Sequence, residues 1–372
     1  MVNQKSDIVI VGGGIIGCAV AYELSKRGIS VSVVDGRDVG GGATRASAGM
    51  LAPFIEGQHL EIMWTLGSRS LELYDSFVAD VVSDSGHFVP YERTGTLEIA
   101  LDKASLECLE RAAERLSSVG VKCSLLTRAE AIAAEPHLGS NVHGGLVVST
   151  HGFVNANALT CSLHHAAAKH GVCFITASEV IEISSHEDSV MVKTAGGTLL
   201  SGAAVLAAGS WVGRIPIEGV SPLPIRPVRG QLLRLLWTEA SLARIVWGAD
   251  CYVVPWSDGS ILVGATVEDA GFDECATVSG VMSLLGAVCD LLPAAQGAGF
   301  DTVRVGLRPA TPDDLPVVGR SAAMPNLVYA TGHYRNGVLL APLTARLVAN
   351  LMLDGQEDPV LGEISPSRFG EF

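Results

Sequence analysis

The chain has 372 residues, 48% of them apolar and 42 of them glycine, and it carries a formal net charge of −14. That length favours two domains or a discontinuous pair, and the acidic balance argues against non-specific binding to nucleic acid or an anionic membrane. No apolar run approaches the roughly 18 residues of a membrane span, and the residues before Ile8 leave no room for a signal peptide. The cysteines are scattered, with no C-x-x-C and no metal spacing, so they read as reduced core residues of a cytoplasmic protein without a metal site. The adjacent pair His164-His165 reads as helix surface.

Ile8 to Val11 is an apolar run entering Gly12-Gly13-Gly14-Ile15-Ile16-Gly17; Cys18 to Lys26 follows as a helix and Ile29 to Asp35 as a second strand. Gly12 permits a tight turn, Gly14 lets backbone approach a pyrophosphate, and Gly17 lets the helix lie against the strand. Ile15 and Ile16 open the helix, whose N-terminal N–H groups favour phosphate. Asp35, with Gly36 beside it, ends the second strand where a carboxylate can accept both hydroxyls of a ribose. Together these features predict a dinucleotide site.

Val39 to Pro53 is rich in glycine and small residues, among them Ala43, Thr44, Ala48, Gly49 and Met50. Such a stretch either wraps a large flat ligand or forms an ordinary flexible loop, and its composition leaves both open. Leu60 to Val82 reads as a long amphipathic helix, Thr94 to Leu101 as a strand, and Leu106 to Val119 and Thr127 to Ala134 as helices, the latter stopped before Pro136. Gly144 to Ser149 is a strand, Asn155 to His170 a helix closed by Gly171, and Val172 to Ile175 a buried strand. Val180 to Ser185 and Val190 to Leu200 form a meander turning at Gly196-Gly197, and Ala203 to Ala208 leads into Gly209-Ser210-Trp211. Pro222, Pro224 and Pro227 mark a crossing. Beyond it Gly230 to Trp237, Cys251 to Pro255 and Ser260 to Ala265 read as antiparallel strands, with a hairpin at Asp258-Gly259. Val278 to Leu292 is a helix. Leu327 to Ala330, Thr331 to Gly337 and Val338 to Leu353 form strand, turn and helix.

Three glycine-bearing turns flank apolar strands: 12–17, 207–211 and 332–337. In the last, a helix starting at Val338 directs its N–H groups over the turn, and Gly332 and Gly337 remove side chains that would block approach. For a flavin, that helix end suits the N1–C2=O edge. Arg308, in Gly306-Leu307-Arg308-Pro309, and Arg335, in Gly332-His333-Tyr334-Arg335-Asn336, stand in short irregular segments. Each presents a fork that binds a carboxylate bidentately, although a surface salt bridge would use the same residue type. Tyr252 starts a strand and serves equally as a substrate contact or a half-buried core tyrosine.

These motifs, with VIVGGGIIGCAVAYELSKRGISVSVVD, ATRASAGMLAP, VLAAGSWVG, CYVVP with GAT, GLRPATPDDLPVVGR and ATGHYRNGVLLAP, resemble the D-amino-acid oxidase family of FAD flavoproteins over essentially the whole length. The likeness is strongest to its glycine oxidase branch of the thiamine-biosynthesis type. It implies an α/β fold: a discontinuous FAD-binding Rossmann-like domain of the glutathione-reductase type (1–88, 144–222 and 303–372) and an α+β substrate domain with an antiparallel sheet (89–143 and 223–302). It implies FAD contacts from Gly12, Gly14, Ile15, Ile16, Gly17, Asp35 and Gly36, and from Ala43, Thr44, Ala48, Gly49 and Met50. Val180, Ala208, Gly209 and Trp211 add to these, with Gly332, His333, Tyr334, Arg335, Asn336, Gly337 and Val338 at the third turn. Tyr252, Arg308 and Arg335 are implied as catalytic, with Met50 and Val267 also meeting the substrate and Arg308 binding its carboxylate. In members with covalent flavin, such as monomeric sarcosine oxidase, a cysteine follows the segment equivalent to Gly306–Pro309; Ala310 to Leu315 has none, so FAD is expected to be non-covalent.

The implied reaction is oxidation of glycine or a small or N-substituted amino acid: hydride transfer to flavin N5, imine hydrolysis, and dioxygen reduced to hydrogen peroxide. Two departures bear on the pocket. Val267 follows Gly264-Ala265-Thr266 where glycine oxidases can carry methionine, and Val246-Trp247-Gly248 also differs; both leave the pocket's size, and with it the exact amine, open. A larger N-substituted glycine, or a dehydrogenase using another acceptor, are the enzymatic alternatives. A flavin-binding protein without turnover is disfavoured by intact Tyr252, Arg308 and Arg335. A homo-oligomer is left open.

Overall fold

The computed structural model describes residues 6–55, 61–237, 242–355 and 358–370. Leu60, expected to open the long helix, lies outside them, and that helix is described over Glu61–Ser85.

The strand Ser6–Val11 has parallel neighbours on both sides, Val31–Val34 and Gly197–Leu206. Successive side chains of a strand point to opposite faces, so this one feeds two cores. Ile8 and Ile10 pack with residues of the helices Ile15–Lys26, Glu61–Ser85, Ala156–Lys169 and Gly337–Leu353. Val9 and Val11 face the meander together with Val317, Leu327 and Tyr329. Cys173–Ile175 and Leu327–Thr331 extend the parallel order outward, and Val317–Arg320 adds an antiparallel edge. Cys173–Ile175 is an edge strand and only half-buried, not the buried strand its composition suggests. Gly197–Leu206 is one strand of 10 residues rather than two segments, because Ser201 pairs with Val190 of the meander and with Ser6 of the central strand.

A second sheet of eight strands runs in the order Gly299–Ala310, Arg226–Leu236, Ser260–Gly264, Tyr252–Pro255, Ile245–Trp247, Thr96–Ala100, Gly144–Val148, Cys123–Thr127. All pairings are antiparallel except Ile245–Trp247 with Thr96–Ala100. One face packs Leu284, Val288 and Leu291 of the helix Val278–Leu291. The other gathers Leu232, Tyr252, Val254 and Leu262 against Ala48 and Phe153.

Here the structure corrects two expectations. Arg308 stands not in an irregular segment but in a strand of 12 residues, opposite Val228. Gly306 and Pro309 hide the alternation of Val303, Val305 and Leu307, and Pro309 is tolerated because this is the sheet edge. Gly144–Val148 and residues 303–310 both lie in the second sheet, so the chain crosses between sheets after those strands rather than at 144 and 303.

Candidate functional site

At the end of Ser6–Val11, Gly12 has φ of 108°, and a Cβ there would lie 2.5 Å from the Ala207 carbonyl oxygen. A Cβ on Gly17 would overlap the Gly12 carbonyl, so that glycine seats the helix on the turn rather than facing outward. The helix Ile15–Lys26 starts after Gly14 with no side-chain cap. Its Ile15 N–H donates to Thr44 Oγ1 at 3.1 Å, which brings the small-residue loop onto the helix end. Asp35 accepts from Gly13 N–H at 2.6 Å and from Arg37 N–H at 2.8 Å, fixing a carboxylate beside that end.

The loop is built rather than flexible. Ala43–Ala46 is a 3-10 turn, and Met50–Leu51 pairs with Gly152–Val154. Gly49 has φ of 73°, and a Cβ there would overlap the Val154 carbonyl. A Cβ on Gly306 would lie 2.7 Å from that of Ala46, so loop and strand Gly299–Ala310 lie in close contact.

The third turn is tied to the same strand, since Tyr334 N–H donates to the Pro309 carbonyl at 3.0 Å. Tyr334 itself has φ of 47°, a conformation that a bulky residue holds only under constraint from its surroundings. Gly337–Leu353 then begins after Asn336 with no side-chain cap. Burial pushes the His333 imidazole down to about 3, so it is neutral, and its Nε2 lies 3.0 Å from Thr344 Oγ1. Arg335 is exposed, with its guanidinium 5.4 Å from the centre of the Tyr334 ring.

From the second sheet come Arg308 and Tyr252. The Arg308 guanidinium lies over Gly230, where a Cβ would be 2.5 Å from Cζ, and its Nη1 donates to the Thr266 carbonyl at 3.0 Å. The buried Tyr252 ring lies over Gly264, where a Cβ would overlap it, and packs 5.0 Å from the Trp247 ring. Glycine thus clears the floor beneath each polar side chain.

These pieces enclose one cavity of about 520 Å³ that extends from Asp35 to Arg308. It gathers the first turn, the 43–50 loop, Val180, Ala208, Gly209, Trp211, Tyr252, Arg308, Arg335 and the start of the last long helix. Four expected residues do not line it. Gly17 lies beneath its turn; Gly332 is packed against Thr311 and Val317; Asn336 precedes the helix. Val267 is 53% exposed to solvent. Its neighbour Thr266 turns its hydroxyl to Glu268 and its carbonyl to Arg308, and Ala265 is the residue of this segment that meets the cavity. The pocket size therefore does not follow from Val267.

Sequence reasoning missed Arg37, Arg214 and the loop that holds them. Arg37 pairs with Glu274 at 2.6 and 3.0 Å and lies 4.4 Å over the Trp211 ring; Arg214 lies 3.6 Å over Phe272. Residues 269–277 carry one glycine, Gly271, and no apolar period, which marks a turn but not its contact with the cavity. Among the described residues no group of His, Cys, Asp or Glu is placed to hold a metal, and no helix is long and apolar enough to cross a membrane.

Fold and site together define a dinucleotide-binding protein, and comparison with known proteins narrows it. The FAD dependent oxidoreductase family (DAO) matches residues 7–351, and the chain belongs to that family. The bifunctional protein ThiO/ThiG of Trichormus variabilis is 36% identical over 98% of this chain and 55% of its own, so the chain spans about half the length of that relative. Glycine oxidase of Geobacillus kaustophilus is 32% identical over 94% of this chain and 93% of its own. The crystal structure of that enzyme superposes with a TM-score of 0.94, covering 98% of this chain and 99% of the other. L-proline dehydrogenase from P. horikoshii superposes at 0.87 with 25% identity over 100% of both chains. The cofactor is FAD, and the residues present fit it: the N-termini of the helices Ile15–Lys26 and Gly337–Leu353 open on one cavity, Asp35 stands by the first, and Gly12 and Gly49 let backbone pass where a side chain would collide.

Proposed function

We propose that this FAD-dependent enzyme oxidises the C–N bond of glycine or a small N-substituted glycine, with the substrate carboxylate held by Arg308. The observation that carries the reading is the Arg308 guanidinium lying flat over Gly230 on the cavity wall, with Nη1 donating to Thr266. Tyr252 gives a hydrogen bond to the bound acid and covers it. Met50, Leu232 and Ala265 supply apolar wall that keeps water from the reacting carbon. When bound, non-covalently, FAD would supply the acceptor for the hydride of the substrate Cα, with dioxygen as the final oxidant and hydrogen peroxide as its product. The acidic lining residues, Asp35 and Glu179, adjoin one another through the Ser178–Asp35 backbone bond at the dinucleotide end, and burial leaves the His333 imidazole too weak a base to take a proton from an ammonium. No residue at the Arg308 end is therefore asked to take the ammonium proton. The amine binds as the free base, and water hydrolyses the imine after release. The residues around the parallel sheet hold FAD and those of the second sheet hold the acid.

The test is a panel of glycine, sarcosine, N-ethylglycine and D-alanine with peroxide detection on purified protein, and acid precipitation to release the flavin. Peroxide with glycine or an N-alkyl glycine, and flavin in the supernatant, are expected. Turnover only with an artificial electron acceptor would favour a dehydrogenase, a role carried by the structural relative from P. horikoshii.

A further inference from the structure

Beyond Gly264 the chain continues alongside Arg226–Leu236: Thr266 N–H donates to the Gln231 carbonyl at 3.2 Å, and Arg229 and Glu268 exchange backbone bonds of 2.9 and 3.0 Å. The Glu268 carboxylate then collects side chains from both segments. Its Oε1 accepts from Thr266 Oγ1 at 2.5 Å and from Gln231 Nε2 at 2.7 Å. Its Oε2 accepts from Arg229 Nη2 at 2.6 Å and Nε at 3.1 Å. Arg229 also reaches Asp273 at 2.6 Å, and Gln231 caps the start of the helix Val278–Leu291 through Thr277. Burial raises the Glu268 carboxyl, but the bonds from Thr266, Arg229 and Gln231 hold it below the usual glutamate range, so it is an anion.

The partners of Glu268 border the floor on which the Arg308 guanidinium rests and include the residue that anchors it. Arg229 and Gln231 flank Gly230, the floor beneath the guanidinium, and Thr266 provides the carbonyl that accepts from Nη1. Val228 and Gly230 pair with Arg308 and Gly306, so they share the face of Arg308; Arg229 and Gln231 point to the opposite one. One carboxylate on the far side of the sheet thereby fixes floor and anchor together.

We propose that Glu268 is the positioning residue for Arg308: it sets where the guanidinium presents its fork to the substrate carboxylate, without touching substrate or cofactor. This rests on the reading of Arg308 as the carboxylate anchor. Truncating Glu268 leaves FAD bound and the carbon–nitrogen chemistry intact, and loosens the grip on the acid.

The experiment is a double-mutant cycle on FAD-loaded protein, scoring KM and kcat for glycine, and Kd for acetate read from the flavin absorbance change. Glu268→Ala should raise both the glycine KM and the acetate Kd about 10- to 50-fold with kcat within threefold. Thr266→Val, which removes the hydroxyl and keeps the carbonyl, should move them the same way by less. In an Arg308→Ala background, adding Glu268→Ala should change either by under threefold. Equal effects in both backgrounds, or loss of FAD in Glu268→Ala, Glu268→Gln and Thr266→Val alike, assign Glu268 a purely structural role and overturn the proposal. An unchanged KM in Glu268→Ala where Arg308→Ala raises it also overturns it. If Arg308→Ala itself leaves KM unchanged, it is the anchor reading that fails, and the positioning role falls with it.

Discussion

Substituting Gly230 by alanine isolates the geometry of the carboxylate anchor. The new methyl would sit 2.5 Å from Arg308 Cζ and from Nη1, whereas non-bonded heavy atoms settle at about 3.5 Å, so the guanidinium must move by roughly 1 Å. Gly230 is a strand residue without positive φ, and alanine there is compatible with the backbone. The fold and the cofactor should therefore survive while the fork is displaced. A misplacement of that size reduces rate by on the order of 10²-fold, or about 2.7 kcal/mol of transition-state stabilisation. Steady-state kinetics with glycine should show kcat/KM lower by that factor, with FAD content and the thermal midpoint near wild type. A value within threefold of wild type would refute the claim that the guanidinium over Gly230 is the group that orients the substrate.

Three further outcomes are expected. Tyr252→Phe removes one hydrogen-bond donor of about 1 kcal/mol and should lower kcat/KM for glycine roughly fivefold, mainly through KM; no change would make Tyr252 a packing residue only. Glu274→Ala frees Arg37, which lines the cavity beside Gly36; because the pair is partly exposed, FAD titration of apoprotein should show affinity lowered only about two- to fivefold, with the glycine KM unmoved. His151 and His333 are both pushed down to about 3 by burial. The unfolded chain takes up protons at these sites below about pH 6.5 and the folded chain does not, so stability is lost as pH falls from 6.5 toward 3. Each contributes up to about 1.4 kcal/mol per pH unit, and a thermal midpoint equal at pH 6.5 and pH 5 would contradict this.

The dinucleotide half of the site was legible because its constraints are local. Gly12, Gly14 and Asp35 sit within one strand–helix–strand unit, and the start of the helix at Gly337 follows from the apolar period of 338–353. The second sheet was half legible. Arg308 was picked out by type in a chain poor in basic residues, but its strand was not, because Gly306 and Pro309 interrupt the pattern that pairing with Arg226–Leu236 restores. Val267 failed for a related reason. Whether a residue after a strand faces the cavity depends here on the bond Thr266 donates to Glu268, two residues on, and on the one its carbonyl accepts from Arg308, 42 positions away in sequence. The Arg37–Glu274 contact joins residues 237 positions apart and has no local signature at all.

The most direct test of Arg308 as the carboxylate anchor is the glycine KM of Arg308→Ala, measured beside its FAD content. Loss of a charge-assisted, partly buried contact to a carboxylate corresponds to roughly 2–5 kcal/mol, so KM should rise at least about 30-fold while FAD stays bound. A KM within twofold of wild type, in protein that still carries its flavin, would place the substrate carboxylate elsewhere and contradict the account.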